Sequence, residues 1–444
     1  TLTNFVDGTS LDANYTPDIS YTDAYIIKLN DSGELLWSKI ITGEKSQNLN
    51  NILFSSDGNL IANGYTDDVA IFSNGEQLGS EDTSTENNFL VKFDVSSGDI
   101  LWNVLVDNSD SAVVSFGTHA VLSNGDVLFF PYYYYENEGE NYLIKKLNSS
   151  NGEITNATAS GFISFQIRVV EVDSNDNIYI GSSTQQNNND SNLIKYDSNL
   201  NLLWNIAVSD NGGSNGSAYL WDIEYDSIND LLYVAARARS ADLNPLGTST
   251  IVENNANNGE YFAAYNTEGI LQFSHGFETD INSSYNSQNT YALEIFDNKL
   301  IYRGSFNGIV DFDITDGIFY TPLSGNNDGS FLSIYDLTNG LNFTGLYYDQ
   351  NYLFNSYDIF YKNDKIKKGG PYFSISNFND YDGSHWFNNN IAYTNIITQN
   401  SQYGANAGVM EFLLDDENLP ANFVPISEGR DANLWTNDTE TTNI

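Results

Sequence analysis

Arginine and histidine are scarce in this chain, so the few present stand out as candidates for chemistry. Arg237, Arg239 and Arg303 fall in or just after apolar, strand-like segments. On a strand, residues 237 and 239 share a face. Guanidinium groups placed so are suited to hold a carboxylate ligand through paired N–H donors. So acidic a chain also offers local Asp and Glu partners, which is the simpler use of them. The run Tyr132, Tyr133, Tyr134 and Tyr135 follows Pro131 at a strand end. Each tyrosine carries a flat apolar face and a polar tip, the chemistry that stacks on a sugar ring or anchors a protein partner. In an extended run alternate rings point opposite ways, so about half of them face a neighbouring strand. Asp380 and Asp382, within Phe378-Asn379-Asp380-Tyr381-Asp382-Gly383, resemble a shortened calcium loop. The full carboxylate spacing and the distal bidentate Glu are missing. Calcium is the ion this segment would hold, and the same residue types also make an ordinary turn.

Other chemistries find less support. His119, His275 and His385 lie in separate segments without HxH or HxxxH spacing, which argues against a zinc site. His385 beside Trp386 reads as a packing pair. With no cysteine there are no disulfides and no thiolate nucleophiles. The chain has no Gly-x-Ser-x-Gly elbow, phosphate-binding glycine loop or HExxH helix. Its 59 Asp and Glu are too many to single out a catalytic pair. Asn-x-Ser/Thr triplets at Asn14, Asn148, Asn156, Asn215, Asn282 and Asn342 mark surface turns. No catalytic residue is assigned.

The elements that must position these residues are repeats. The segment Asp23 to Trp37, DAYIIKLNDSGELLW, reads as a strand, a tight turn and a second strand ending on tryptophan. It returns as NFLVKFDVSSGDILW from Asn88, NYLIKKLNSSNGEIT from Asn141 and NLIKYDSNLNLLW from Asn192, with fainter copies from Glu260, Gly329 and Tyr372, seven in all. A second hairpin alternates with it, first as NILFSSDGNLIANGYT from Asn51 and then from Ala120, Val169, Ile223, Ala292, Tyr357 and Gly408. Asp, Asn and Gly at its bend supply side-chain-to-backbone bonds and positive φ. In the first anchor strand Tyr25, Ile27 and Leu29 take one face and Ile26 and Lys28 the other. Both faces carry apolar residues, as a sheet sandwiched between two others requires. Trp37, Trp102, Trp204 and Phe273 share one place after the turn, where a flat ring would wedge between sheets. Gly64, Pro131, Ser182, Ala236, Gly304 and Gly370 form a compact column, read as inner-strand crowding or as strand-end punctuation. The connections Asp67 to Asn87, Ser240 to Gly259, Glu278 to Ser287, Asn307 to Asp328 and Tyr347 to Ser356 read as polar loops.

No helical period is present. Two hairpins per repeat of roughly 60 residues predict an all-β chain, a seven-bladed β-propeller of four-stranded blades, with six or eight blades as the alternative. The expected domain runs over 1–426, closed by the N- and C-terminal strands, with 427–444 a polar tail or linker. The net charge of −42, from 17 Lys and Arg against 59 Asp and Glu, argues against nucleic acid and anionic membrane surfaces as partners. No run approaches the ~18 apolar residues of a membrane-spanning helix. The first residue is Thr, and the chain is read as a mature or excised piece with any export signal removed.

The first repeat, DAYIIKLNDSGELLW followed by NLNNILFSSDGNLIANGYT, resembles the SBBP-type β-propeller repeat, a DAFVAKLD–SG–LLW hairpin followed by a DSSGNVYVTGYT hairpin. That resemblance implies a bacterial protein, exported and extracellular or at the cell surface, often with further domains of a larger surface protein. It brings no catalytic residues. The hairpin is also similar to the quinoprotein dehydrogenase repeat, in which Gly-x-x-x-Trp docks blades. Those enzymes generally pair their quinone with a calcium or lanthanide site and often a vicinal disulfide. This chain has no Cys and no matching acidic ligand set. The expected function is a non-enzymatic recognition or scaffold propeller binding a protein or glycan through its face loops. The alternatives are a polysaccharide-active hydrolase or lyase with its site at the propeller mouth, and a structural subunit of a surface filament or layer.

Overall fold

The computed structural model describes residues 3–4, 10–11, 23–30, 35–72, 74–79, 87–107, 116–132, 143–159, 165–184, 191–208, 219–238, 240–244, 251–253, 259–277, 292–296, 298–307, 313, 328–338, 340–349, 358–362, 372–376, 409–413 and 424–425. Among them every regular element is a strand. The chain divides into two compact units, residues 1–187 with 192–205, and residues 188–191 with 206–444.

The strands form a succession of sheets. Sheet I contains Ala24–Leu29, Leu35–Thr42, Val69–Phe72 and Gln77–Gly79. Sheet II contains Gln47–Phe54, Leu60–Thr66, Asn87–Phe93 and Ile100–Asp107. Sheet III contains Phe116–Val121, Val127–Tyr132, Leu143–Leu147 and Ile154–Ala159. Sheet IV contains Phe165–Val172, Ile178–Thr184, Ser191–Tyr196 and Leu202–Val208. Sheet V contains Tyr219–Asp226, Leu231–Ala238, Gly259–Asn266 and Leu271–Phe277. Sheet VI contains Ala292–Phe296, Lys299–Asn307, Asp328–Asp336 and Asn342–Asp349, with Val424–Pro425 added at its outer edge. Sheet VII contains Asp358–Lys362, Tyr372–Ser376 and Val409–Leu413. A separate pair joins Thr3–Asn4 to Ser10–Leu11.

The two hairpins of the repeat are both present, but their phase differs from the order in which the sequence presents them. In sheets II, III, V and VI the Asx/Gly hairpin pairs with the anchor copy that follows it, whereas Val409–Leu413 of the last hairpin pairs with the anchor before it, Tyr372–Ser376. In sheet II, Leu60–Thr66 lies against Asn87–Phe93, not against the anchor from Asp23. The forward pairing holds although the connection from Thr66 to Asn87 is longer than the one from Thr42 to Gln47.

Two connections expected as loops carry hairpins. Val69–Phe72 and Gln77–Gly79 leave sheet II after its second strand and complete sheet I, with Ile41 opposite Phe72 and Thr42 opposite Ile71. Ala70 and Phe72 are buried. Their alternation in DVAIF was masked by the polar residues on either side. Ser240–Asp242 and Ile251–Glu253, which follow the second strand of sheet V, form a second hairpin as a two-stranded sheet of its own.

The compact column lies inside the second strands, not at their ends. In sheets II, IV and V, Gly64, Ser182 and Ala236 stand beside a register shift in the first strand. A Cβ on Gly64 would overlap the Asn48 carbonyl oxygen and come within 2.7 Å of the Phe89 ring. Crowding by the bulged partner explains why these residues are small. Gly370 is outside the described residues.

Within the first unit the first strands of sheets II, III and IV lie alongside one another, and within the second unit those of sheets V, VI and VII do the same. Stacked sheets bury both faces. Every residue of Asn87–Phe93 and of Ser191–Tyr196 is buried, which accounts for apolar residues at odd and even positions alike.

Tryptophan forms the joints between sheets I and II and between sheets II and III. Trp37 of sheet I donates its indole N–H to the Val95 carbonyl in the outer turn of sheet II, 3.1 Å away. Trp102 of sheet II does the same to Ser149 of sheet III, again at 3.1 Å. Each ring lies on a glycine of that turn, Gly98 or Gly152, where a Cβ would come within 2.7 Å of the indole. The cross-strand neighbour of each tryptophan is a lysine, Lys28 or Lys92. Their ammonium groups donate to the same two carbonyls at 2.8 and 3.0 Å. One carbonyl therefore receives two donors from the preceding sheet, which fixes both its distance and its orientation.

Candidate functional site

The inner corners of sheets II, III and IV, where the first strand turns into the second, share one design. In sheet II the Ser55 N–H bonds the Asn59 carbonyl, in sheet III Leu122 bonds Asp126, and in sheet IV Asp173 bonds Asn177, at 2.8, 2.9 and 3.0 Å. The next-to-last residue of each corner has positive φ, namely Gly58, Gly125 and Asp176. Glycine takes this conformation without penalty and Asp tolerates it at a small cost.

Asp176 uses the position to reach the neighbouring sheet. Its carboxylate accepts the Ser123 N–H and the Ser123 hydroxyl, both at 2.7 Å. Asp173 is buried and accepts four bonds, from the N–H groups of Asn175 and Asn177, the Asn177 amide and the Tyr179 hydroxyl. On the sheet II side, Asp57 accepts from the Ser55 hydroxyl, the Asn59 N–H and the Lys92 ammonium. Burial works against its charge, but those bonds hold its carboxyl well below the usual range.

Between these corners lies a cleft of about 270 Å³, lined by Phe54, Ser55, Ser56, Val121, Leu122, Ser123, Val172, Asp173 and Asp176. Phe54 is 68% exposed at its rim. The carboxylates of the first two corners are matched by lysines, Asp57 by Lys92 at 2.8 Å and Asp126 by Lys146 at 3.4 Å. Among the described residues Asp173 and Asp176 form no ion pair. Their bonds come from hydroxyl, amide and backbone donors, and the lysine of sheet IV, Lys195, has its ammonium 5.0 Å from the ring of Tyr179, whose hydroxyl bonds Asp173.

A second polar cluster is sealed between sheets II and III. His119 is fully buried, with Nδ1 3.0 Å from the Asn63 side-chain oxygen and Nε2 3.2 Å from the Ile61 carbonyl. The Asn63 amide donates in turn to the Gly117 carbonyl at 2.5 Å. Burial pushes the His119 pKa down to about 4, against the opposing pull of the Ile61 carbonyl. A neutral ring in a dry joint is a packing and register device.

None of the described residues singled out in the sequence lines the cleft. Tyr132 ends the second strand of sheet III opposite Phe116, while Tyr133, Tyr134 and Tyr135 lie outside the described residues. Arg237 stands on the second strand of sheet V, opposite Tyr219 and Glu260. Arg239, Asp380, Asp382 and His385 lie outside the described residues. Arg303 is fully buried on the second strand of sheet VI, opposite Ala292 and Leu332. His275 lies on the outer strand of sheet V opposite Phe262. Sequence reasoning missed Asn63, Lys92 and the carboxylate of Asp176. The first two carry a visible signal, a polar residue inside an otherwise apolar strand, in LIANGYT and FLVKF.

No family model matches the chain. An uncharacterised WD repeat-containing protein of Acanthamoeba polyphaga mimivirus is 35% identical over 107 residues, a match spanning 20% of this chain and 8% of that protein's length. Among solved structures, a protein of unknown function from Dyadobacter fermentans is similar with a TM-score of 0.41 and 10% identity, covering 88% of this chain and 98% of that one. A quinohemoprotein alcohol dehydrogenase from Pseudomonas putida scores 0.33 at 9% identity, with 70% and 60% covered. A β-propeller domain from Myceliophteria thermophila scores 0.29 at 10% identity, with 67% and 98% covered. At these scores and identities the likenesses assign no residue a role.

Proposed function

We propose that the chain is a non-enzymatic recognition or scaffold module, a propeller of seven blades displayed outside the cell, that holds a protein or glycan partner against the inner corners of its sheets. The repeated four-stranded sheets, with tryptophan on glycine at two successive joints in the same direction, support the propeller reading. The observation that carries the binding role is the cleft between three equivalent corners. Its carboxylates are engaged by two to four hydrogen-bond donors each. A carboxylate held so is a poor proton shuttle but a firm wall for a ligand. His119, the histidine of this unit, is buried away from the cleft between two sheets.

Purified protein applied to a glycan array and to immobilised surface-protein ectodomains tests the reading. Saturable binding to one of them without chemical change of the ligand is expected. Turnover of any glycan, abolished by a point change in the cleft, would replace the binding role with an enzymatic one.

A further inference from the structure

We infer that the cleft between the corners of sheets II, III and IV takes a cationic side chain, arginine or lysine, presented by an extended segment of a protein partner. This rests on the recognition reading above and names the partner's chemistry.

Asp173 and Asp176 give the cleft carboxylate acceptors, and of its three serines only Ser56 keeps a hydroxyl donor outside the bonds of the corners. Both donors of Ser123 are committed to Asp176. The Ser55 hydroxyl is committed to Asp57 and to the Asn59 carbonyl. Asp176 accepts one bond on each oxygen, which leaves each with a further lone pair. Asp173, buried behind it, adds a second negative charge to the same wall. A neutral sugar presents hydroxyls that need donors as well as acceptors, whereas a guanidinium or ammonium group brings donors only.

Charge points the same way. The corners of sheets II and III match their carboxylates with Lys92 and Lys146, and the corner of sheet IV has no such match among the described residues. The lysine of sheet IV, Lys195, is buried against the Tyr179 ring and forms no ion pair with Asp176, so a cation at Asp176 has to come from a partner. Phe54, largely exposed at the rim, offers the aromatic face on which a guanidinium stacks. At about 270 Å³ the cleft lies below the ~300–1,000 Å³ of sites for drug-sized molecules and suits one side chain. The net charge of −42 draws a basic segment toward the surface from a distance.

The probe is a five-residue peptide, Gly-Gly-Arg-Gly-Gly, capped at both ends, titrated against the whole chain by calorimetry and saturation-transfer NMR. One saturable site is expected. The same peptide with citrulline, neutral and nearly isosteric, should bind at least about tenfold more weakly. Asp176→Asn should weaken the arginine peptide by about tenfold, and Phe54→Ala by roughly threefold to tenfold. Asn is well suited to the positive φ of this position, so the first variant should fold, and the second changes an exposed ring. Asp99→Asn removes an equal charge from a distant exposed turn and should change nothing, which separates a site from diffuse attraction. The inference is overturned by absence of peptide binding, by equal binding of the citrulline peptide, by equal effects of Asp176→Asn and Asp99→Asn, or by competition from a neutral sugar. A folded Asp176→Asn protein that still binds its array or ectodomain partner would end this inference and leave the recognition reading in place.

Discussion

The joint between sheets II and III and the joint between sheets III and IV are filled in opposite ways. At the first, the outer strand of sheet II contributes Trp102, and the facing turn of sheet III recedes to Gly152 at φ 70°. At the second, the place of the tryptophan is taken by Asn156, which pairs with Lys146 as Trp102 pairs with Lys92. Asn156 is exposed and fills nothing. There the facing turn advances instead. It carries Leu200 where its neighbours carry glycine, at φ 65°, and buries it among Ala120, Leu128, Ile144 and Ile178. A leucine in this backbone conformation costs about 1–2 kcal/mol, and burial of its side chain returns about 1.5–3 kcal/mol. Large and small have changed sides while the gap is filled once. The polar partners change with them. Lys92 reaches across the first joint to Ser149 as well as to Asp57 of its own sheet, whereas Lys146 pairs with Asp126 of its own sheet. His119 lies opposite Phe129 in sheet III, and Val170 lies at the matching place opposite Ile180 in sheet IV.

The largest effect should come from emptying the tryptophan joint. Trp102→Ala removes the ring and leaves Lys92 as the lone cross-sheet donor to Ser149, so a loss of about 3–5 kcal/mol is expected in urea unfolding. A loss below about 1 kcal/mol would mean that the ring decorates the joint without holding it.

Acid sensitivity should also sit at this joint. The folded His119 ring takes a proton only near pH 4, against a usual value of 6.5, so as the pH falls the unfolded chain binds the proton first. Its contribution is complete above about pH 6.5 and shrinks on the way down to 4, by up to about 3 kcal/mol. His119→Val copies the residue of the other joint and should flatten the pH dependence of stability in that window relative to the parent chain. An unchanged slope would contradict the assignment.

The smallest effect belongs to the second joint. Leu200→Gly relieves the backbone and leaves a void, so the two terms nearly cancel and a net loss near 1 kcal/mol is expected. A loss above about 4 kcal/mol would show that the leucine does more than fill space.

Much of this was open to reading from the chain. The recurrence of LLW after an Asx/Gly turn reveals the hairpins and the wedge, because tryptophan and glycine each leave a signature that few other residues share. The alternation of two hairpins reveals the four-stranded unit. Its phase is hidden, since either neighbour of a hairpin satisfies the same strand pattern. The swap at Leu200 is hidden too, because NLNLLW looks like a weaker copy until the missing tryptophan of sheet III is known to face it. The cleft is built by three corners far apart in sequence, each made of ordinary turn residues. The lone unusual choice there is Asp176 in a glycine's place, and Asp is common in turns for backbone reasons. The arginines and tyrosines drew attention by rarity and clustering, properties that carry no information on which strand faces which.

The double-mutant cycle of Trp102→Asn and Gly152→Leu tests most directly the claim that each joint is filled once, from either side. Together the two changes bring the residue types of the second joint to the first, on a turn one residue longer. The expected result in urea unfolding is that each single variant loses roughly 2–5 kcal/mol, while the pair loses less than the sum by at least about 1–2 kcal/mol. Losses that add to within about 0.5 kcal/mol would show that the tryptophan and the turn do not share a space, and would contradict this account of how the sheets are joined.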